Sequence, residues 1–259
     1  MADLPLYNAA ADRSLGLFDN PAWRANAVEK LGLGLVAVAG VVLGLHFMAW
    51  IASVQLTSVA AASVLVTLSP VFIAVLGAVF LGERPDRQTS VAIVAAVGGA
   101  ALIGGSEGGA GGYPNPALGN TLALLAAALV SVYLLIGRAV RQRASFLAYF
   151  APLNAVAAAT CVAGCVALGV PLGLPLPALA LAFALGVGPG LLGHGSFNLA
   201  LRYVPAALLG LLTLVEPVAA SAVAFVWFDE RPAPLAFLGM AVVLAAIAAV
   251  VVGKRDRKG

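Results

Sequence analysis

Two pairs of residues spaced four apart put polar chemistry inside apolar runs. "GHGSFNLALRY" carries His194 and Asn198, and "LHFMAW" carries His46 and Trp50. On a helix each pair shares a face. Side chains of these types can bind a hydrogen-bonding solute, and histidine titrates near neutral pH and can pass a proton. The same residues would also serve as polar links within a helix bundle, and the sequence leaves both uses open. Tyr133 belongs with them, as do Ser131 and Asn154; each suits a solute or a neighbouring helix equally well.

The stretch "TLVEPVAASAVAFVWFDERP", residues 213 to 232, sets Glu216 beside Pro217 in a run otherwise long enough to cross a bilayer. A carboxylate near the bilayer centre costs roughly 2.5 to 3.5 kcal/mol, and an interior proline removes a backbone hydrogen bond. A polar cavity facing both residues would offset these costs and would give Glu216 work as a partner, proton carrier or ligand. A structural hydrogen bond, for instance to the carbonyl freed by Pro217, is the alternative.

The elements that position these residues follow from composition. The chain is 62% hydrophobic and 10% charged, with a mean hydropathy of +1.04, against roughly 25% charged in soluble domains. A span takes about 20 mostly apolar residues. Eight such segments are expected, at about 31–53, 57–82, 88–105, 118–137, 146–168, 177–198, 205–228 and 233–253. The fold class is therefore an all-α integral membrane protein. Residues 1–30 mix acids with bases and lack a continuous apolar core, which argues against a cleaved signal peptide. Cys161 and Cys165 share a helical face in the fifth segment and read as small buried hydrophobes, since no His or Cys cluster accompanies them to make a metal site.

A net charge of +3 does not indicate nucleic acid, because the position of the bases explains it. If the C-terminus is cytosolic, thirteen of the fourteen Lys and Arg residues fall on the inside and only Arg231 falls outside. This is a strong positive-inside pattern, expected of a multi-pass protein of the cell (inner or plasma) membrane with both termini in the cytosol.

Residues 58–85, "SVAAASVLVTLSPVFIAVLGAVFLGERP", match residues 205–232 at a constant offset of 147. The pairs include Leu65 with Leu212, Pro70 with Pro217, Val71 with Val218, and Glu83-Arg84-Pro85 with Glu230-Arg231-Pro232. The two copies lie five spans apart, and an odd separation inverts one against the other, as in many secondary transporters. The repeats are incomplete. The expected organisation is a polar segment at 1–30, three helices of a first repeat at 31–105, a glycine-rich external link at 106–117, five helices of a second repeat at 118–253, and a basic tail at 254–259. Pro70 and Pro217 then break matched helices near the midplane, where broken helices line transporter cavities. Glu83 with Arg84, and Glu230 with Arg231, end their helices and are expected to pair as ions there. The spacings Gly40 to Gly44 and Gly186 to Gly190 suit close helix contact.

The arrangement resembles the drug/metabolite transporter superfamily, in particular its EamA-like members. The likeness rests on the pair "TLSPVFIAVLGAVFLGERP" and "TLVEPVAASAVAFVWFDERP", on "GHGSFNLALRYVPAALL", and on the closing helices "VAIVAAVGGAALIGG" and "LAFLGMAVVLAAIAAVVVG". It covers about residues 31 to 253. Members have ten helices in two inverted five-helix halves, so the resemblance implies that the first two helices are absent here. It also implies a carrier that moves a small metabolite or drug-like solute outward by alternating access. Its cavity would be lined by Glu216, His194, Asn198, His46, Trp50 and Tyr133. The partners implied are the solute and the bilayer, with protons and a second copy of the chain as further candidates and no cofactor. Against an enzyme, "GGSEG" at 104–108 sits in a glycine-rich link and not at a strand-to-helix elbow. The alternative to a carrier is a non-transporting remnant or scaffold.

Overall fold

The computed structural model describes residues 21–57, 59–106, 113–216, 218–219, 226 and 234–256, except for the side chains at 21–31, 59–60, 103–106 and 254–256. Helices are the only regular elements among the described residues. They are α1 (Pro21–Leu56), α2 (Val59–Val66), α3 (Ser69–Leu76) with a π-helical extension Gly77–Leu81, α4 (Arg87–Ser106), α5 (Pro116–Arg141), α6 (Phe146–Ala167), α7 (Leu176–Leu185) with a π-helical extension Gly186–His194, α8 (Gly195–Ala200), α9 (Ala206–Thr213) and α10 (Pro234–Asp256). The chain divides into Met1–Leu35, whose described part is the start of α1, and Val36–Gly259, which holds the other elements.

Among the described residues six helical stretches are long and apolar enough to cross a membrane: Gly32–Leu56, Ala61–Leu81, Pro116–Arg141, Phe146–Ala167, Leu176–Ala200 and Pro234–Gly253. The protein is an all-α, multi-pass membrane protein. The count differs from the eight expected. The segment at 88–105 lies within α4, whose part described with side chains is the apolar stretch Arg87–Leu102, and the segment at 205–228 is described only in part.

Local chemistry sets the helix starts. Asn115 Oδ1 accepts from the Leu118 amide (3.1 Å) ahead of Pro116, whose missing N–H costs nothing in the first turn of α5. Ser145 Oγ caps α6 through Ala148 N (3.3 Å), and Asp86 Oδ1 caps α4 through Thr89 N (2.7 Å).

The second apolar segment breaks between Val66 and Ser69, just ahead of Pro70. Proline has no N–H to return to the carbonyl four residues back, here that of Val66, and beyond the break the helix restarts with Leu68 O accepting from both Val71 N (2.9 Å) and Phe72 N (3.3 Å). Helix α9 ends at Thr213, which is 147 residues after the end of α2 at Val66. Pro217 itself lies outside the described residues, as do Glu230 and Arg231.

Helix α5 is the organising element. It packs against α2, α3, α6, α8 and α9, and Tyr133, Leu134 and Leu135 join Leu43, Ile73, Leu153 and Leu201 in one core cluster. A second cluster joins α4 to α10 through Ala92, Ile93, Ala96, Val243 and Ile247. Helices α1 and α6 cross closely at Gly40 and Gly44. A Cβ at Gly40 would stand 2.8 Å from Leu153 O, and one at Gly44 would stand 2.8 Å from Ala157 O. Gly186 and Gly190 make no comparable approach to another helix.

Candidate functional site

The polar residues of three helices meet on the inner face of α5. Tyr133 and Asn198 are both fully buried, and Asn198 Nδ2 donates to the Tyr133 hydroxyl at 2.6 Å and to His194 O at 2.7 Å. From α1, buried His46 places Nδ1 2.9 Å from Ala126 O. A carbonyl only accepts, so Nδ1 carries the proton in this contact and Nε2 of the neutral ring is left as an acceptor. The His194 ring lies 6.4 Å from His46, 5.9 Å from Tyr133, 5.3 Å from Phe47 and 6.2 Å from Phe197, centroid to centroid.

This cluster is not self-satisfied. His194 Nδ1 and Asn198 Oδ1 are buried without a hydrogen-bond partner. An unmet buried polar atom costs about 1 to 3 kcal/mol. Two of them in one cluster, with the His194 ring between those of Phe47 and Phe197 and inside helices long enough to span a bilayer, form a site with hydrogen-bonding capacity to spare.

Four of the six expected cavity residues, His46, Tyr133, His194 and Asn198, are thus brought together. Trp50 is partly buried one turn further along α1, and its carbonyl accepts from Ser53 Oγ (2.7 Å). Glu216 is exposed at the position 147 residues after Ser69, and no hydrogen bond or ion pair joins it to the cluster among the described residues. Ser69 is buried, and Ser131 Oγ on α5 lies 3.0 Å from its carbonyl and 2.6 Å from Ala127 O, so one hydroxyl proton is shared between the break and α5 itself. Pro70 is buried against α9, so close that a Cβ at Gly210 would stand 3.2 Å from its Cα.

Sequence reading did not find the two arginines that lock one end of the cluster. Arg138 Nε donates to Glu83 Oε1 (2.9 Å), while its Nη1 donates to Leu201 O (2.8 Å) and Arg202 O (3.3 Å). Glu83 therefore pairs across helices with Arg138 and not with its neighbour Arg84, which is exposed. Arg141, 1% exposed, donates from Nε to Asn198 O (3.0 Å) and from Nη1 to Ala144 O (2.5 Å). Asn198 is thus held at both ends, by its side chain on Tyr133 and by its carbonyl on Arg141. Both π-helical extensions run toward this junction, one just ahead of Glu83 and the other ending at His194; such segments often mark functional positions. An arginine every third residue near the end of α5 was the available signal, since long guanidinium forks there reach the free carbonyls of neighbouring helix ends.

Comparison with known proteins gives the setting. A protein of Streptantibioticus cattleyicolor described as "Probable terminal-alkyne amino-acid exporter" is 34% identical over 189 residues, covering 72% of this chain. The chain spans 62% of the length of that relative. A solved structure described as "Crystal structure of protein" superposes with a TM-score of 0.69 at 25% identity, over 93% of this chain and 81% of the other. The EamA-like transporter family matches residues 13–105 and 117–252, on both sides of the glycine-rich link. With apolar helices long enough to span a membrane and a match along most of its length, the chain belongs to the EamA-like transporter family.

Proposed function

We propose that this protein carries a small, hydrogen-bonding solute of amino-acid type outward across the cell's inner membrane by alternating access, through the site bounded by His46, Tyr133, His194 and Asn198. The observation that carries the reading is the pair of unpartnered buried atoms, His194 Nδ1 and Asn198 Oδ1. Asn198 Oδ1 offers an acceptor to a solute N–H or O–H, and the two imidazoles offer further donors or acceptors according to tautomer. The aromatic rings of Phe47 and Phe197 supply the apolar wall that small-molecule sites combine with a few polar groups. The outward direction and the amino-acid class draw on the exporter relative.

The positive-inside pattern supports a cytosolic location for the end that carries Arg138, Arg141, Arg143 and Arg202, with both termini cytosolic. In this orientation Arg138, which bonds Glu83 and the carbonyls after α8 at once, closes the inner end, and opening requires that it release one partner. The matched helix ends at Val66 and Thr213 support inverted repeats whose broken helices move against each other, with Glu216 entering the pathway from the second break. Protons taken up by His46 or His194 are the proposed driving ion.

The test is uptake of a mixed pool of labelled amino acids into inverted vesicles holding this 259-residue chain. Transport is expected for the chain as it stands and should fall at least tenfold in Asn198→Ala, with Glu216→Gln and His194→Gln changing its pH dependence. Uptake equal in Asn198→Ala and the parent would overturn the site. No uptake by any form that folds would favour a non-transporting role.

A further inference from the structure

Away from the polar cluster, α4 and α10 leave an open groove of about 480 Å³. The helices run antiparallel, since a Cβ on Gly99 would meet Gly239 O and Val243, whereas Gln88 Nε2, near the start of α4, donates to Ala249 O (2.6 Å), late in α10. The groove is lined by Val91, Ala92, Ala95, Ala246 and Ala249, with Arg87 and Gln88 at one end, so Arg87 is its only charged lining residue among the described residues. Val91 is 61% exposed and nearby Val94 is 71% exposed, which places the groove on an outward apolar face.

Length and charge identify an occupant. Arg87 is the first residue of α4, and eight residues on, Ala95 lies about 12 Å deeper at 1.5 Å per residue. One leaflet of hydrocarbon is about 15 Å thick. The groove therefore has the reach of one acyl chain, with a guanidinium at headgroup level. At the same end of the same helices the sequence sets Arg84, Arg87, Lys254 and Arg255 against Asp86, whose carboxylate caps α4, and Asp256, an excess of two bases. Basic pockets between membrane helices at the cytosolic face attract anionic headgroups. A zwitterionic lipid gains little from such a set, and a second copy of this chain would have to bring its own basic end against these bases.

We infer that the α4–α10 groove binds one anionic glycerophospholipid, its phosphate on Arg87 and one acyl chain along the alanines. The site is independent of the solute cluster and would tie the packing of these two helices to membrane composition.

Native mass spectrometry of the full chain, released from micelles doped with phosphatidylglycerol or with phosphatidylcholine of the same chains, tests this. Retention of one phosphatidylglycerol in preference to phosphatidylcholine is expected. Arg87→Gln should weaken retention about fivefold or more, and Ala249→Leu, which fills an exposed part of the groove, should block it. Arg143→Gln, a basic residue in the exposed turn after α5, should leave retention unchanged. Equal retention of the two lipids overturns the proposal, as does a loss in Arg143→Gln equal to that in Arg87→Gln. A lipid-free dimer that Ala249→Leu disrupts would replace the lipid with a second copy of the chain.

Discussion

Arg138→Met offers the sharpest test of how the described bundle is held. The guanidinium contributes the Glu83 contact at 2.9 Å and two bonds to the carbonyls of Leu201 and Arg202. Removing one partner of a buried ion pair costs roughly 3 to 5 kcal/mol. Here the side-chain exposures are 10% for Arg138 and 31% for Glu83, so water re-solvates part of the abandoned carboxylate and about 2 to 3 kcal/mol is expected. The second substitution gives the test its sign. With Arg138 present, Glu83→Gln should cost about 1 kcal/mol, since an amide oxygen still accepts from Nε. With Arg138 gone, Glu83→Gln removes an unpaired charge whose Oε2 already lacks a partner, so the double variant should be more stable than Arg138→Met alone. Reversible unfolding in mixed micelles, followed by far-UV circular dichroism, measures all four states. The reasoning is refuted if Arg138→Met loses under about 1 kcal/mol or if the two substitutions simply add.

Other consequences follow from single contacts. Gly44→Leu would drive its Cβ to 2.7 Å from Thr160 Cβ and should cost about 1 to 3 kcal/mol by overpacking, visible as a lower melting temperature in detergent, whereas Gly186→Ala, with open space around it, should be silent. Ser131→Ala removes the hydroxyl shared between Ser69 O and Ala127 O and should destabilise by about 0.5 to 1.5 kcal/mol in the same assay. Phe47→Ala should reduce vesicle uptake more than Trp50→Ala, because Phe47 stands 5.3 Å from the His194 ring; the opposite ranking would move the site along α1.

The membrane class was legible because composition alone decides it, and four residues of the buried polar cluster were legible because polar side chains inside apolar helices are too costly to be random. Spacing on one helix pairs His194 with Asn198, yet it cannot say that Tyr133, 65 residues away, completes the set. Trp50 and Phe47 show this limit. Trp50 sits four residues after His46 as helical spacing prefers, but His194 approaches from another element and selects the ring on the adjacent face, Phe47. Glu83 was read with Arg84 because they are neighbours in sequence, and its partner is 55 residues away, since residues adjacent along the chain diverge in direction while facing helix ends converge.

Arg138 and Arg141 carry the deeper lesson. Counted with the other bases they form part of the positive-inside pattern, a signal that depends on the side of the membrane and on nothing the side chains touch. In the bundle they are 8% and 1% exposed and supply the donors that close the ends of α8 and the turn after α5. The two roles are compatible because both operate at the same depth. A helix that ends at the interface leaves unpaired carbonyls there, and a base placed there for topology is within reach of them. Arginine, with five donors in a rigid fork, serves both purposes better than lysine. Arg138→Lys, which keeps the charge and hence the orientation signal, should therefore preserve topology while losing the simultaneous hold on Glu83 and Leu201. Cysteine-accessibility mapping would show unchanged sidedness beside increased labelling at the inner end, and unchanged labelling would mean that the fork contributes nothing beyond its charge.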